Sequence, residues 1–580
     1  MRTIVLTVVF GALSFLNVTG QNNLHTTSDD TLTFLSRTGG NIDTFDLAYS
    51  FPLSTLPGGT INQQNAAPSI DFFKSSPSLF LYAPLKNKPI WKVSGLPHVG
   101  FFYSFGTKGI QFLHADYEQT FRNKSLLNLT IDRSSSSAEN SMIRNGGFSN
   151  QNFQAAYRFG TKKLKGHFNG KYSQNTLRLN GGISNDSSWI TRRIAFAPVF
   201  KPNATSLHKR VNVYGELKYS LLKDSSRSQL GLISKHYFSI WNREYNESDT
   251  LAGIYSTINI DSSTTRDQFQ DAKFKNSIGI FGESNQFSAS VFVSHRYWRL
   301  QNLGRNRDTN EISTEFNFGF NQKKLSIEST NYFNIIGAKN EYSSQNSIKW
   351  GGIRKYLAVS AAFESMLPSL VQRFYFANNL NYSNQLDKQG RADLFATGCY
   401  SFWKIDGSLT FGSLTWKNNL VWENENWKIG NESNRTINYI KAKIHFDFNW
   451  LHLYPELRIT NGSDYLPKTF LSGRLLVKKK VFAAKKLELM FALDPQLCNK
   501  YKLMSYNTLL DNWYFDSSNR SGGQVFTLHS TFALHIEEFK FFIRIENLQA
   551  IWTARNIEIA QNYYRPTFLL RLGVSWDFFN

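Results

Sequence analysis

The chain has 580 residues, with 65 Lys and Arg against 43 Asp and Glu, a formal net charge of +22. Aromatics make up 15% and charged residues 19%, which excludes disorder of the whole chain, because disorder needs charge and avoids aromatics. Its two cysteines, Cys399 and Cys498, stand far apart with no metal-ligand spacing around them, so neither a disulfide scaffold nor a cysteine metal site is expected.

Met1 and Arg2 lead into a largely apolar run, Ile4 to Val18, and Val18 and Gly20 are small residues where a signal peptidase cuts. Residues 1–20 are therefore expected to be a cleaved signal peptide, with Gln21 first in the mature chain. No cysteine follows the run, which argues against a lipid anchor. Beyond residue 20 no stretch of about 18 apolar residues occurs, so no transmembrane helix is expected. An exported chain can still span a membrane as a closed β-barrel, the other structure that satisfies its backbone internally.

Residues 21–93 hold Pro52, Pro57, Pro68, Pro77, Pro84 and Pro89 and little sustained alternation. Proline is kept out of central strands, so this segment is expected to be an irregular N-terminal extension, periplasmic or tucked into the lumen.

From residue 94 onward apolar and polar residues alternate with period 2. Val211–Tyr219, Phe287–His295, Thr314–Asn321 and Ile405–Phe411 show it weakly. Ile440–Trp450 shows it without a break, with Lys441, Lys443, His445 and Asp447 on the polar side. Phe526–Ile536 follows. Next comes Phe539–Glu546, with Lys540, Arg544 and Glu546 opposite its apolar residues, and then Phe568–Phe578. Several runs reach the roughly 9–11 residues of a membrane-crossing strand, longer than the usual soluble strand. Between them lie polar segments read as turns and loops: Ile258–Gln270, Gly304–Asn310, Asn431–Thr436 and Asp516–Gly523. A longer irregular connection is expected over Asn180–Lys209. Lys478, Lys479 and Lys480, with Lys485 and Lys486, read as a turn or rim.

The fold class expected is all-β: a transmembrane antiparallel β-barrel over residues 94–580. At roughly 28 residues per strand it would have about 16 strands, within a range of roughly 14–18. Trp and Tyr near run ends fit interfacial girdles, although core packing explains any one of them equally well. They are Tyr297, Trp298, Trp350, Trp403, Trp416, Trp422, Trp427, Tyr454, Trp513, Tyr514, Tyr563 and Tyr564. Lys441, Lys443, Asp447, Lys540, Arg544 and Glu546 are the candidate lumen-lining residues.

The closing strand carries a sharper pattern. Arg571 and Gly573 share one face and Trp576 and Phe578 the other, as in the C-terminal sorting strand that barrel-insertion machinery engages. The final residue, Asn580, departs from a terminal aromatic. This strand, with Asp30-Thr31-Leu32, the stretch from Arg144 to Gln151 and Leu179-Asn180-Gly181-Gly182-Ile183, resembles the "putative porin" family of Gram-negative outer membranes. The resemblance implies a multi-pass outer-membrane barrel and a diffusion channel, and it brings no catalytic residues.

No G-x-S-x-G, Walker, H-E-x-x-H or C-x-x-C pattern occurs, so no enzyme, cofactor or metal is expected. The positive charges are dispersed and no nucleic-acid module is present, so nucleic acid is not an expected partner. Expected partners are outer-membrane lipid and lipopolysaccharide, the barrel-assembly machinery and small hydrophilic solutes, with a homo-oligomer allowed. The function expected is passive diffusion of small hydrophilic solutes, favouring anions. The alternatives are a non-conducting barrel serving as scaffold or as secretion or adhesion partner and, with less support, a barrel lipid hydrolase.

Overall fold

The computed structural model describes residues 96–579, apart from positions 123–124, 137–146, 185–196, 223–227, 249–254, 339, 353, 431–433, 483–485, 517–520, 523, 553–557 and 565–567. The expected signal peptide and N-terminal extension lie outside the described residues, as do parts of the family-like stretches, Asp30 to Leu32 and Arg144 to Gly146.

The barrel strands in chain order are β1 (His98–Gly106), β2 (Ile110–Thr120), β3 (Leu126–Ser136), β4 (Gly147–Gly160), β5 (Leu164–Arg178), β6 (Thr205–Ser220), β7 (Ser228–Glu247), β8 (Thr265–Ser284), β9 (Phe287–Asn302), β10 (Arg305–Gln322) and β11 (Leu325–Ile336). They continue as β12 (Tyr342–Gly351), β13 (Lys355–Met366), β14 (Gln389–Phe402), β15 (Ile405–Lys417), β16 (Arg435–Asp447), β17 (Leu451–Leu453 and Glu456–Asn461), β18 (Thr469–Ser472 and Leu475–Val481), β19 (Leu487–Cys498), β20 (Val525–Ile536), β21 (Phe539–Glu546) and β22 (Leu569–Phe579). Each pairs antiparallel with the next. β22 returns to β1, with Arg571 opposite Gly106 and Phe579 opposite His98, so the sheet closes and keeps no edge.

The strand number corrects the expectation of about 16. The sheet has 24 hydrogen-bonded segments, but β17 and β18 are each one strand in two pieces, which leaves 22 strands. β17 breaks at Tyr454-Pro455, where proline has no N–H to give the ladder. Gly473 in the gap of β18 donates to Pro495 O of β19 at 3.1 Å, and the register is the same on both sides of each gap, so the ladder carries on through the break.

Two features hid strands from the sequence. Several connections are only two residues long, as between β8 and β9. Other strands are polar on both faces. Gly304–Asn310, expected to be a loop, lies almost wholly in β10, paired with β9 from Arg305↔Asn302 onward. Conversely, the alternation of Ile440–Trp450 overruns its strand, since β16 ends at Asp447.

Alternate connections differ in length. Those after β2, β4, β8, β10, β14, β16 and β20 are tight. Those on the opposite end include 179–204, 248–264, 367–388, 418–434, 499–524 and 547–568. Tight turns mark the periplasmic end of an outer-membrane barrel and long loops its outer end. The outward faces are apolar, as at Phe153, Val213, Val359, Leu409 and Phe532. Near the tight-turn end Trp350, Trp403, Trp450 and Trp576 are exposed, Trp403 at 78%. Strands β7 and β8 run for 20 residues each, whereas β12 has 10. The surplus rises outside the apolar belt, where Arg266, Gln268, Gln270 and Arg299 are exposed.

Candidate functional site: the lumen and its loop cap

On the inner wall the alternation places polar and charged side chains. Glu328, Thr330 and Gln345, on β11 and β12, are exposed there although they alternate with the lipid-facing Ile327 and Ile348. An exposed inward side chain faces open lumen.

The candidate lining residues fall into two places. Lys441 and Lys443 on β16 both approach Glu456 of β17, at 3.9 and 3.5 Å, and Lys443 remains 40% exposed. Asp447 on the same face lies 3.5 Å from His452 Nδ1. On the far side of the β17–β20 segment, Arg544 donates to Glu546 (3.3 Å), Asp494 (3.4 Å) and Thr531 (3.0 Å). Arg571 donates to the same Glu546 at 3.3 Å and is 1% exposed, and Arg474 grips Asp494. Arg544, Glu546 and Arg571 thus form one buried chain of charges, apart from the group around Glu456. Lys540 is buried on this face as well. Gly573 lies under the Phe542 ring, where an added Cβ would come within 2.3 Å of ring carbons. Trp576 and Phe578 point outward and stack at 4.3 Å between ring centroids. Among the described residues no group of three or more His, Cys, Asp or Glu could hold a metal.

Above the lumen the long loops fold inward and pack on one another. One cluster joins Leu179, Tyr245, Trp416, Tyr439, Tyr506 and Trp513, and a second joins Trp241, Phe269, Leu370, Tyr375, Leu380 and Trp427. Trp416, Trp427 and Trp513 were expected in the interfacial girdles. They are the core of this cap instead, because they stand where the outer strands meet inward-folded loops. Local motifs shape the loops. Ser369 and Gln372 form a reciprocal capping box on the turn Leu370–Arg373. Asn424 and Glu425, both with positive φ, make the tight turn of the hairpin Leu420–Glu423/Asn426–Ile429.

The centre of the cap is a buried ion pair. The hairpin Ser505–Asn507/Asn512–Tyr514 carries Asp511 at its tip, and Arg243 reaches it from the tall strand β7. Arg243 Nε donates to Asp511 Oδ2 at 2.9 Å. Its other nitrogens donate to Leu509 O (2.5 Å), Thr508 O (3.2 Å) and the Tyr375 hydroxyl (3.3 Å). Asp511 also accepts from Ser206 (2.6 Å), His208 Nε2 (2.7 Å) and Tyr506 (2.8 Å). Trp241 Nε1 donates to His208 Nδ1 at 3.2 Å, so Nδ1 is the bare nitrogen and Nε2 carries the proton given to Asp511. Burial would push the Asp511 carboxyl up. Arg243, His208 and Ser206 outweigh it and hold the carboxyl well below the usual carboxylate range. Both charges are 1% exposed, so the pair is held by geometry and has no solvent to screen it.

Two further ties bind the loops. The Asn378 side chain accepts from the Ile260 and Asp261 amides and donates to Asp261 O, joining the 367–388 loop to the loop before β8. Lys201 donates to Tyr245 (3.3 Å) and Tyr255 and lies 3.8 Å from Glu247. Burial pushes its ammonium down to about 8 against the pull of Glu247. Sequence reasoning missed this assembly, because Arg243 and Asp511 are 268 positions apart and neither sits in a motif.

The sequence model of the "putative porin" family matches residues 95–580, the whole barrel. The chain belongs to the putative porin family. This putative porin is an outer-membrane β-barrel that crosses the membrane many times by strands. In fold it is similar to the siderophore receptor PirA from Acinetobacter baumannii, at TM-score 0.58 and 10% identity over 84% of this chain and 81% of that one. A mutant of the ferric enterobactin receptor PfeA from Pseudomonas aeruginosa gives TM-score 0.60 at 10% identity over 84% and 81%. The FrpB iron transporter from Neisseria meningitidis gives 0.60 at 8% over 84% and 82%. Among curated proteins, none matches the putative porin.

Proposed function

We propose that this putative porin passes small hydrophilic solutes passively, through a lumen narrowed at its outer mouth by the loop cap, and that it favours anions. The observation that carries the reading is a closed barrel with a wetted polar inner wall beneath a cap clamped by one buried ion pair. Barrels of 22 strands are too wide to be selective unless something fills them. The cap supplies such a filling from the barrel's own loops. The anion preference is supported by the net charge of +22 and by inward lysines such as Lys443, since a low-dielectric wall of one sign focuses its field into the opening. No catalytic step is assigned to the barrel in this reading.

The test is single-channel current in a planar bilayer under a salt gradient, for the wild-type chain and Asp511→Ala. Removing Asp511 leaves the Arg243 charge buried without its carboxylate, a loss of about 3–5 kcal/mol to the closed cap. The wild type is expected to show small steady currents with an anion-favouring reversal potential, and the variant larger ones. A folded barrel silent in both forms would overturn the reading and favour a non-conducting scaffold.

A further inference from the structure

The lipid-facing belt is breached by polar side chains at two places on one arc, on β7–β8 and on β11–β12, with the exposed Val291, Val293 and Phe316 of β9 and β10 between them. On β11 and β12, Ser329, Asn331, Ser344 and Asn346 lie outward, on the same face as the exposed Ile348 and Trp350. They close a ring in which every bond runs in the same sense. Asn331 Nδ2 donates to Ser329 Oγ (2.8 Å) and Ser329 Oγ to Asn346 Oδ1 (2.6 Å). Asn346 Nδ2 then donates to Ser344 Oγ (2.9 Å) and Ser344 Oγ to Asn331 Oδ1 (2.7 Å). Each asparagine spends one amide hydrogen on the ring. The second hydrogen of Asn331 and of Asn346 has no partner among the described residues, and an acyl chain offers none.

Along the strands the ring has Phe333 and Tyr342 on its outer side and Ile327, Ile348 and Trp350 on its periplasmic side. Ala361 follows Asn346 across the sheet, so short side chains make a shallow recess in a belt of large ones. Further round, His236 pairs with Ser234 (2.6 Å) and Asn276 (2.7 Å) on the lipid-facing side of β7 and β8. Elsewhere the lipid-facing side carries exposed apolar residues such as Val213, Leu409 and Phe532. The arc is about 24 Å wide at about 4.8 Å per strand, room enough for a protein contact.

We propose that this arc, centred on the Ser329–Asn331–Ser344–Asn346 ring, docks a second copy of this chain within the bilayer and forms a two-fold dimer. The ring itself argues for that partner. It holds spare donors on its two amides and spare lone pairs on its oxygens, so a two-fold rotation sets donors against acceptors with no other chemistry required. Small residues beside hydrogen-bonding ones are what membrane contacts use to bring backbones close.

The test is the native mass of the full chain in lipid nanodiscs, with disulfide trapping in outer membranes. The wild type is expected at twice the chain mass and Asn331→Leu/Asn346→Leu at once. Leucine suits the lipid face, so the variant keeps the heat-sensitive gel mobility of a folded barrel, and loss of the dimer is read apart from misfolding. In a Cys399→Ser/Cys498→Ser background, Ser329→Cys or Ser344→Cys is expected to give an oxidised dimer. Leu572→Cys, half the circumference away, is expected to give none. A monomeric wild type, a dimer that survives the leucine pair, or equal trapping at Leu572 would each overturn the proposal.

Discussion

Lys201 shows how a single side chain ties the cap to pH. It lies outside the membrane span, among Tyr245, Tyr255, Glu247 and Arg243. Burial sets its folded value near 8, whereas an exposed lysine titrates near about 10.4. Between those values the opened cap takes up a proton that the closed cap does not hold. Closure therefore strengthens as pH rises from about 8 toward about 10, and the full cost of the buried charge is felt below 8. Tyr245 and Tyr255 oppose the effect only as pH nears about 10, where the hydroxyls of the opened cap begin to ionise while burial keeps those of the closed cap protonated. Amide-exchange protection of residues 197–204, corrected for intrinsic rate, is expected to rise over this range, and Lys201→Met to flatten the rise. A lone lysine between Phe200 and Pro202 gave no hint of this in the sequence, since its partners come from β7 and the next loop. The chain of Arg544, Glu546 and Arg571 was more legible, since period 2 alone puts all three on polar faces.

At the scale of the strand, what was readable depended on what each face touches. Where one face meets lipid and the other water, alternation is strong, and β16, β20, β21 and β22 stand within a few residues of their sequence patterns. Where both faces are wet, as in the outer halves of β9 and β10, alternation fades and the strand passes for a loop. Tryptophan was ambiguous for a related reason. Trp350 and Trp403 meet the membrane interface, while Trp416 and Trp427 pack in the cap, and both settings suit an indole. The two faces of one strand are separable by experiment. On β4, Phe153 is 44% exposed to lipid, and its neighbour Asn152 faces inward opposite Asp132. Phe153→Arg is expected to cost about 2–4 kcal/mol in urea unfolding from lipid vesicles. Asn152→Arg, facing water and a carboxylate, is expected to stay within about 0.5 kcal/mol of the wild type. Equal losses would contradict the assignment of faces.

For the whole molecule, composition made a barrel legible but left its circumference open, because the residues per strand cannot be read while short turns and wet strands are hidden. The fold relation to receptors at about a tenth identity has the same root: 22 strands fix a girth, and many sequences satisfy one apolar and one polar face. The tall strands β7 and β8 have a consequence for topography. About 10 of their 20 residues suffice to cross the bilayer, so at a tilt near 45° the rest lifts one side of the rim by about 25 Å. An atomic force image of the cell-facing surface would then show a crest on one flank, with a crescent profile in place of a round crater. The crest is a built-in compass needle, since its bearing gives the rotation of every copy in the plane of the membrane. If copies pair through β11 and β12, height maps will show crests in close couples related by half a turn, and solitary copies will show them at random bearings.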